Sequence, residues 1–305
     1  MFHVKLVNME KIISCALCGN ESFTNYLEPQ DYFLTQEAFT IVKCKNCGLL
    51  FVNPRPAATE ISKYYNSESY ISHSTKQKGI LDRVYSFIRR KNHVRKYTII
   101  SNYKKAGSIL DIGCATGEFL NFFKNKGWQT TGLEPNEKAR QFASQAYNLD
   151  VLDENDIQKL PDKKFDVVTM WHVLEHVHDI NERIFQLDRI LKDDGIAVIA
   201  VPNSKCYDAS FYGKYWAGYD VPRHIFHFTT ETLAKLFEKR NFKLLEKLPM
   251  VYDAYYISMI SEKYKTGKKN LVKAFFHGFR SNQYAKRNGN EFSSLIYVFG
   301  KNGLK

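Results

Sequence analysis

The chain has 305 residues, of which 44% are hydrophobic and 14% aromatic. This length and composition exclude an intrinsically disordered protein and allow one large buried core with a small appended module. The net charge of +12 is unevenly distributed, because residues 108–205 contain 16 acidic and 11 basic side chains whereas both flanking segments are basic. Basic flanks favour anionic partners such as phosphorylated small molecules, nucleic acid or anionic membranes, although solvated surface lysines explain them equally well.

The sequence contains no stretch of the roughly 20 apolar residues that a membrane-spanning helix needs, and its first residues lack the apolar segment of a signal peptide. Six cysteines include two C-x-x-C pairs, a usage typical of metal binding in a reducing compartment and not of a disulfide framework. We therefore expect a cytoplasmic protein without a transmembrane segment.

The two C-x-x-C pairs lie near the beginning of the chain. Cys15 and Cys18 form the first pair, Cys44 and Cys47 form the second, and a glycine follows each pair. Four thiolates fill a tetrahedral zinc site and leave no position for a substrate, so the predicted zinc is structural. A thioredoxin-type redox motif would need only one pair, inside a βαβ unit. The spacing predicts a zinc ribbon over residues 10–56, with a role in binding substrate, a partner or nucleic acid.

A connector rich in tyrosine and lysine follows over residues 57–106. Its apolar residues at positions 81, 84, 85 and 88 have helical spacing, and basic residues surround them. The pattern predicts a basic amphipathic helix that packs on the following domain, with contact to a membrane surface or to RNA as the alternative.

In residues 107–305, apolar strand-like runs alternate with helical patterns. Strands are predicted at Ser108–Ile112, Gln129–Leu133, Phe165–Trp171 and 196–201, helices at 118–126, Glu137–Tyr147 and 181–191, and a last strand at 293–299. Such alternation predicts an α/β fold with a parallel sheet and helices on both faces. Residues 203–227 and 252–290 fit this pattern less well and are expected to be insertions over the active face.

A turn of small residues follows the first of these strands. It contains Asp111, Gly113, Ala115 and Gly117, and a helix is predicted to begin at Glu118. Small residues let a backbone approach a ligand closely. The dinucleotide fingerprint G-x-G-x-x-G would need glycine at positions 115 and 118, and a carboxylate at position 118 opposes a pyrophosphate there. The turn therefore disfavours the phosphate-binding alternatives.

This turn resembles motif I of the class I S-adenosylmethionine (SAM)-dependent methyltransferases, D-x-G-x-G-x-G, with Ala115 in place of the middle glycine. The resemblance continues in order over residues 108–201 and implies a Rossmann-like, seven-stranded, mostly parallel sheet with helices on both faces. It implies that Glu134, which precedes Pro135 at the tip of the second strand, binds the ribose hydroxyls of SAM. The residues expected to bind SAM are Asp111, Gly113, Ala115, Gly117, Glu134, Pro135, Asp156, Ile157 and Trp171.

Two further segments carry the same resemblance. In the family pattern Asp156 and Ile157 follow the third strand, which lies between the predicted helix Glu137–Tyr147 and the predicted strand Phe165–Trp171. Family members hold the adenine there with an acidic residue and an apolar neighbour. The run over residues 165–177, which includes Trp171, is similar to the fourth-strand motif of ubiquinone-pathway O-methyltransferases. The segment Gly48-Leu-Leu-Phe-Val-Asn-Pro-Arg-Pro resembles the N-terminal zinc module of a bacterial methyltransferase group that includes nucleotide-sugar C-methyltransferases.

Polar side chains follow the predicted strand Phe165–Trp171, at the edge where open α/β sheets bind ligands. His172, Glu175 and His176 share one face if they form a helical turn, and His224 in the segment 220–227 is expected to reach the same rim. Either His172 or His176 then serves as a general base oriented by Glu175, or the set binds a metal, or it shapes the SAM pocket.

The metal alternative resembles the metal-dependent small-RNA 2′-O-methyltransferases, which have an E-x-x-E-H turn and a downstream histidine. Here His172 replaces the first glutamate, and imidazole favours zinc, manganese or iron over magnesium. A second divalent metal at the active site is therefore one expectation.

Residues 211–224 are rich in aromatic and basic side chains and predict either an acceptor-binding lid, with Arg223 available to an anionic group, or ordinary core packing. We predict a SAM-dependent methyltransferase that transfers the methyl group directly to a small acceptor, anionic or linked to a glycan or a lipid. The alternatives are an RNA-binding zinc-ribbon protein or RNA methyltransferase, and a SAM-binding regulator without catalysis.

Overall fold

The computed structural model describes residues 8–65 and 80–301, with only the backbone described over residues 80–89. In this part of the chain the helices are α1 Ile80–Ser101, α2 Glu118–Lys124, α3 Glu137–Tyr147, α4 Ile180–Ile190, α5 Tyr207–Tyr212, α6 Thr230–Glu238, α7 Asp253–Thr266 and α8 Leu271–Arg287. The strands are β1 Met9–Glu10, β2 Phe23–Leu27, β3 Ile41–Cys44, β4 Leu50–Val52, β5 Arg55–Pro56, β6 Ser108–Ile112, β7 Gln129–Leu133, β8 Asp150–Leu152, β9 Phe165–Trp171, β10 Leu191–Pro202, β11 Phe226–His227, β12 Phe242–Pro249 and β13 Ser294–Lys301.

Seven strands form the central sheet in the order β12-β13-β10-β9-β6-β7-β8. Strands β6 to β10 pair in parallel, whereas β13 runs antiparallel to both of its neighbours, β10 and β12. The prediction of a Rossmann-like, mostly parallel, seven-stranded sheet is confirmed. Strand order reverses at β6, so the connections that follow β6 and β9 lead to opposite faces of the sheet and leave a crevice for a ligand between them.

The core has two halves, one on each face of the sheet. Alternate residues of a strand point to opposite faces, and Val167 of β9 belongs to one cluster of buried residues whereas Val168 belongs to the other. Helices α4 and α6 contribute to the cluster of Val168, and α1 and α2 contribute to that of Val167. The prediction of helices on both faces is confirmed.

A second sheet of four strands, in the order β11-β4-β3-β2, contains the segment with the cysteines. Its fourth strand, β11, comes from the loop after β10 and pairs Phe226 with Phe51 of β4. The amide of Val52 also donates to the carbonyl of Ile225 at 2.9 Å. The predicted ribbon thus shares a sheet with residues of the predicted methyltransferase domain, and the boundaries at 10–56, 57–106 and 107–305 stay a prediction.

The less regular segment 252–290 and the connector 57–106 both contain helices. The segment between β12 and β13 forms a hairpin of α7 and α8, in which a side chain at Gly278 would lie 2.7 Å from the ring of Tyr255. The helix predicted in the connector is present as α1, but the side chains at positions 81, 84, 85 and 88 lie outside the described residues. None of the helices in the described ranges is long and apolar enough to cross a membrane.

Candidate active site

The turn after β6 has the left-handed backbone that its small residues predict. The φ angles are 74° at Gly113, 48° at Ala115 and 78° at Gly117. A Cβ atom at Gly113 would lie 2.5 Å from Cγ2 of Val173, and one at Gly117 would lie 2.6 Å from Cδ1 of Leu149. Both glycines are therefore required by conformation and by space, and the turn lies directly against the segment that follows β9.

Glu134 connects this turn to the tip of β7. Its carboxylate is fully buried and accepts hydrogen bonds from the amides of Ala115, at 2.9 Å, and Asn136, at 3.0 Å. Burial raises the pKa of Glu134, against the effect of these two amide donors. Each oxygen keeps a lone pair for a ligand hydroxyl. Pro135 lies between Glu134 and the N-cap residue Asn136 of α3.

Asp111 lies at the carboxyl end of β6 and is almost completely buried. It accepts a hydrogen bond of 2.5 Å from Oγ1 of Thr169. Burial raises the pKa of Asp111 to about 7, with Thr169 and the positive charge of Lys96 opposing the shift. The ammonium group of Lys96 lies 3.8 Å from the ring centroid of Trp171. The expected SAM residues Asp111 and Trp171 therefore lie around one lysine of α1.

The expected adenine residues lie in a 3₁₀ turn over Glu154–Lys159. Ile157 is buried in the core cluster that also contains Leu133. Asp156 forms an ion pair with Lys159 at 2.6 Å. Contact of Asp156 and Ile157 with adenine stays a prediction.

His172 is held between two carboxylates. Its φ angle is 56°, and its amide donates to the carbonyl of Ala200 at 2.9 Å. Nδ1 lies 3.3 Å from Oε1 of Glu175, and Nε2 lies 3.2 Å from Oδ2 of Asp253. Burial opposes the charged imidazole, but the hydrogen bonds to Asp253 and Glu175 dominate and raise the pKa of His172 to about 10. An imidazolium has no free lone pair, so this geometry opposes the expected role of His172 as a general base.

His176 and His224 face each other edge to face, with ring centroids 4.6 Å apart. Nδ1 of His176 lies 3.0 Å from the carbonyl oxygen of Arg223, and Nδ1 of His224 lies 2.9 Å from that of Gly218. A carbonyl only accepts, so Nδ1 carries the proton in each ring and Nε2 keeps its lone pair; the hydroxyl oxygen of Tyr65, which lies 2.9 Å from Nδ1 of His176, then accepts from the same N–H. Burial and the neighbouring His224 lower the pKa of His176 to about 4, so this imidazole is neutral.

Glu175 completes the cluster. Its side chain is 1% exposed, and within the described residues its Oε2 has no hydrogen-bond partner. The His172 imidazole outweighs the effect of burial and lowers the pKa of Glu175. Glu175, His176 and His224 each offer one ligand atom, and these three atoms lie within 4.8 Å of one another. The structure thus brings together the four expected catalytic residues His172, Glu175, His176 and His224.

Arg223 points into the protein and binds other protein groups. It is buried and donates to both oxygens of Asp220, at 2.9 and 2.7 Å, to Asp31 at 2.9 Å and to the carbonyl of Tyr64 at 2.9 Å. The prediction that Arg223 is available to an anionic ligand is therefore wrong. The neighbouring aromatic side chains are also buried and form core packing instead of a lid: Tyr212, Trp216 and Tyr219.

Three residues of the site escaped the sequence-based expectations. Asp253, the first residue of α7, contacts His172 from 81 positions away. Arg95 and Lys96 of α1 line a cavity together with Asp253 and Tyr252. The basic pattern of the connector was the available signal for Arg95 and Lys96. No local pattern distinguishes Asp253, because its partner is set by the tertiary fold.

The four cysteines of the ribbon form one cluster. Sγ of Cys15 lies 3.6 Å from Sγ of Cys47, and Sγ of Cys18 lies 3.5 Å from Sγ of Cys44. Tetrahedral zinc with Zn–S bonds of about 2.3 Å separates its sulfur ligands by about 3.8 Å, so the cluster is compatible with zinc. The glycine after each pair has a left-handed backbone, and the amide of Gly19 donates to the carbonyl of Cys15 at 2.8 Å.

A family profile for the methyltransferase domain matches residues 86–247, more than half of the chain. The ubiquinone biosynthesis O-methyltransferase of Rickettsia typhi is 30% identical over 133 residues, which are 40% of this chain and 54% of that protein. An uncharacterised protein of Methanocaldococcus jannaschii is 25% identical over 246 residues, which are 77% of this chain and 84% of its own length. The chain thus spans about half the length of the first of these relatives.

Solved structures show the same fold. A geranyl diphosphate C-methyltransferase from Streptomyces coelicolor, crystallised with Mg²⁺, geranyl diphosphate and S-adenosyl-L-homocysteine, superposes with a TM-score of 0.54 at 11% identity. The superposition covers 75% of this chain and 87% of that chain. At this identity the likeness concerns the fold alone.

Proposed function

Because this chain belongs to the methyltransferase domain family, we propose that it transfers the methyl group of SAM directly to a small anionic acceptor, either free or linked to a glycan or a lipid. One observation carries the proposal. Gly113 of the cofactor turn packs on Val173, which lies inside the segment of His172, Glu175 and His176. The turn and the polar cluster therefore share one rim of the sheet, so a ligand of the turn can meet an acceptor at the cluster.

The residues of the turn fit SAM. Gly113 and Gly117 pack against Val173 and Leu149, where a side chain would collide, and so hold the turn in the left-handed form in which its small residues let a ligand approach the backbone. Glu134 is the proposed partner of the ribose hydroxyls, Asp156 and Ile157 hold the adenine, and Asp111 and Trp171 border the rest of the site. When bound, SAM supplies a methyl group that its positively charged sulfur already makes reactive. The protein has to bind, align and desolvate the acceptor.

The cavity beside His172 supports an anionic acceptor. Arg95 and Lys96 line it from α1. Among the described residues Arg95 donates one hydrogen bond, to the carbonyl of Pro249, so most of its five N–H groups are available to a carboxylate or phosphate. Asp253, which also lines this cavity, binds Nε2 of His172 and so connects the cavity to the polar cluster.

Two uses of the inner cluster follow from its hydrogen bonds. Without a metal, Nε2 of His176 accepts the proton of an acceptor hydroxyl, because its Nδ1 is committed to a carbonyl oxygen. With a metal, Glu175, His176 and His224 provide a carboxylate oxygen and two imidazole nitrogens, a set that suits zinc, manganese or iron. The unpartnered Oε2 of Glu175 and the carbonyl-anchored Nδ1 atoms favour the second use. The two uses exclude each other because both need the same lone pair of His176.

The activity is tested by incubating the protein with methyl-labelled SAM and a cell extract. We expect label in a small molecule that binds to an anion exchanger, and at least tenfold less label with the variant Glu134→Gln when SAM is below saturation. Label that appears only in RNA, with binding that weakens steeply with salt, would support an RNA methyltransferase instead. Tight SAM binding with no labelled product from any fraction would indicate a regulator.

Metal analysis of the purified protein decides between the two uses of the cluster. We expect about two equivalents of transition metal per chain, one for the four cysteines and one for Glu175, His176 and His224, and about one equivalent in His224→Ala. The control is His178→Ala, because His178 binds the carbonyl of Pro56 outside the cluster. A single equivalent in the unmodified protein leaves His176 as the proton acceptor.

A further inference from the structure

The helix α8 exposes its largest apolar side chains to solvent. The exposed fractions are 66% for Leu271, 81% for Val272, 65% for Phe275, 61% for Phe276 and 47% for Phe279. The buried residues of α8 lie on a neighbouring face, which packs against α7 at Gly278, and they are all small or polar: Ala274, Gly278, Ser281, Asn282 and Ala285. The polarity of this helix is the reverse of an ordinary surface helix, whose apolar stripe faces the core.

The five exposed residues form one continuous stripe. Their spacing of i, i+1, i+4, i+5 and i+8 confines them to less than half of the helix circumference. We call these residues, Leu271, Val272, Phe275, Phe276 and Phe279, the α8 stripe. A contiguous apolar stripe of this kind, with polar residues around it, is a sign of an interaction surface.

The charge around the stripe is of one sign. Residues 263–290 contain no aspartate or glutamate and eight basic residues, all exposed: Lys263, Lys265, Lys268, Lys269, Lys273, Arg280, Lys286 and Arg287. The lysines at 268 and 269 precede the helix directly, and Lys286 and Arg287 close it. Apolar side chains flanked by cations match a surface that offers both hydrocarbon and negative charge.

We propose that the α8 stripe inserts into the interface of an anionic phospholipid bilayer while the surrounding lysines and arginines contact the lipid headgroups. A second copy of this chain fits the stripe less well, because eight cations would face eight others. Nucleic acid offers the charge but no hydrocarbon for Leu271 and Val272. A bilayer surface provides both, and α8 would lie along it without spanning it.

The hairpin also links this surface to the candidate active site. Asp253 begins α7 and binds His172, and α7 packs along α8. Docking would therefore hold the acceptor cavity close to the bilayer. That consequence rests on the proposed function and favours a lipid-linked acceptor, whereas the docking itself is independent of methyl transfer.

Flotation with lipid vesicles tests the proposal. The protein is mixed with vesicles of phosphatidylcholine alone or with about one third phosphatidylglycerol. We expect flotation with the anionic vesicles and at least tenfold weaker partitioning to the neutral ones, since each lysine near an anionic surface contributes about fivefold. The variant Val272→Asp/Phe276→Asp should lose at least tenfold of the anionic binding, because each inserted side chain contributes about tenfold or more. Phe142→Asp, at an exposed phenylalanine of α3, is the matched control and should bind like the unmodified protein.

Each result decides the question. Absence of flotation with anionic vesicles, or equal flotation of the Val272→Asp/Phe276→Asp variant, overturns the proposal. A dimer in light scattering that the double variant abolishes, without vesicle binding, assigns the stripe to a second copy. Thermal melting and SAM titration of the double variant verify that it is folded. Vesicle binding without methyl transfer to any lipid fraction would leave the docking intact and contradict only the lipid-linked acceptor.

Discussion

At Glu134 a single carboxylate organises the cofactor site. It is buried, in the described part of the chain no cationic side chain hydrogen-bonds to it, and the two hydrogen bonds it accepts come from the backbone amides of Ala115, after β6, and Asn136, after β7. Burial of an ionised carboxylate costs free energy unless hydrogen bonds replace the hydration that it loses. The raised pKa of Glu134 reflects this cost. A ligand that donates hydroxyl hydrogens would offset it.

We expect Glu134→Gln to weaken SAM binding at least tenfold, because the amide replaces a charged acceptor with a neutral group that has only one acceptor oxygen. Isothermal titration calorimetry measures the effect. Glu137→Gln is the control, since Glu137 lies three residues further along at the exposed start of α3. Equal affinities of the two variants would refute the assignment of Glu134.

Asp208 lies away from the site, and its buried carboxyl group leads us to predict that the stability of the protein depends on pH. It is buried in α5, where it accepts a hydrogen bond from Ser293, and burial raises its pKa from 3.8 to about 7. The folded protein therefore binds the proton more tightly than the unfolded chain, so this residue makes stability fall as the pH rises from about 4 to 7. Asp208→Asn should raise the free energy of unfolding by about 1–3 kcal/mol at pH 8 and by much less at pH 4.5.

Urea unfolding at both pH values measures the difference. Asp193→Asn serves as the control, because the side chain of Asp193 is 74% exposed and pairs only with Lys163 at the surface. A gain for Asp208→Asn that is the same at both pH values would point to packing and not to ionisation.

The individual side chains show what residue types and spacing can predict. His172, Glu175, His176 and His224 were expected to converge, and they do so because the end of β9 and the loop after β10 meet at the same sheet edge. Their protonation states were beyond the sequence. The charge of His172 depends on Asp253, and the tautomer of His176 depends on the carbonyl of Arg223. Both partners are brought in by the tertiary fold.

The boundaries of the elements followed from the sequence wherever an element is strongly patterned. Strands β6, β7 and β9 and helix α3 begin and end at the predicted residues, because apolar runs and caps such as Asn136 define them. The stretch after β10 was less predictable. Strand β11 has two residues, too few for any periodic pattern, and it is stabilised by pairing with β4.

The start of α2 provides a test at the scale of one element. Gly117 has a left-handed backbone, and its Cβ would collide with Leu149 and with Ala143 of α3. We expect Gly117→Ala to destabilise the protein by about 2–4 kcal/mol and to abolish SAM binding, because the turn has to move. Gly127→Ala is a close control, since Gly127 has a similar φ of 85° but open space around its Cβ.

Gly127→Ala should cost about 1–2 kcal/mol, from the backbone conformation alone, and should leave SAM binding intact. Urea unfolding and calorimetric titration of both variants provide the comparison. Losses of equal size would mean that the contacts of Gly117 contribute nothing.

On the scale of the whole molecule, the ribbon supports the polar cluster. The loop over residues 220–227 is held from two sides: the amide of Val52 donates to the carbonyl of Ile225, and the amide of Ile225 donates to the carbonyl of Glu175 at 2.7 Å. Strand β4 lies next to β3, which ends at Cys44. Consecutive backbone hydrogen bonds thus link the cluster of four cysteines to the loop with His224 and to the turn with His176.

This linkage predicts that loss of the metal affects turnover more than cofactor binding. We expect Cys18→Ser to bind less zinc, to melt at a lower temperature and to lower kcat at least tenfold, while the affinity for SAM changes less than threefold. The cofactor turn donates backbone hydrogen bonds to Leu133 of β7, away from the bonds that hold the loop at Ile225, which explains the difference. Zinc content, thermal melting and SAM titration measure the three effects, and a matching loss of SAM affinity would contradict the linkage.

The pairing of β4 with β11 also bears on how the chain folds during synthesis. Phe51 and Phe226 are partners across 175 positions, so a nascent chain that has emerged only as far as the ribbon presents β4 as an open edge. Open edges are prone to wrong pairing. Until residue 227 has left the ribosome, the burial of this edge has to wait for the central strands β6 to β10. The ribbon comes first in the chain, but its sheet is completed among the last.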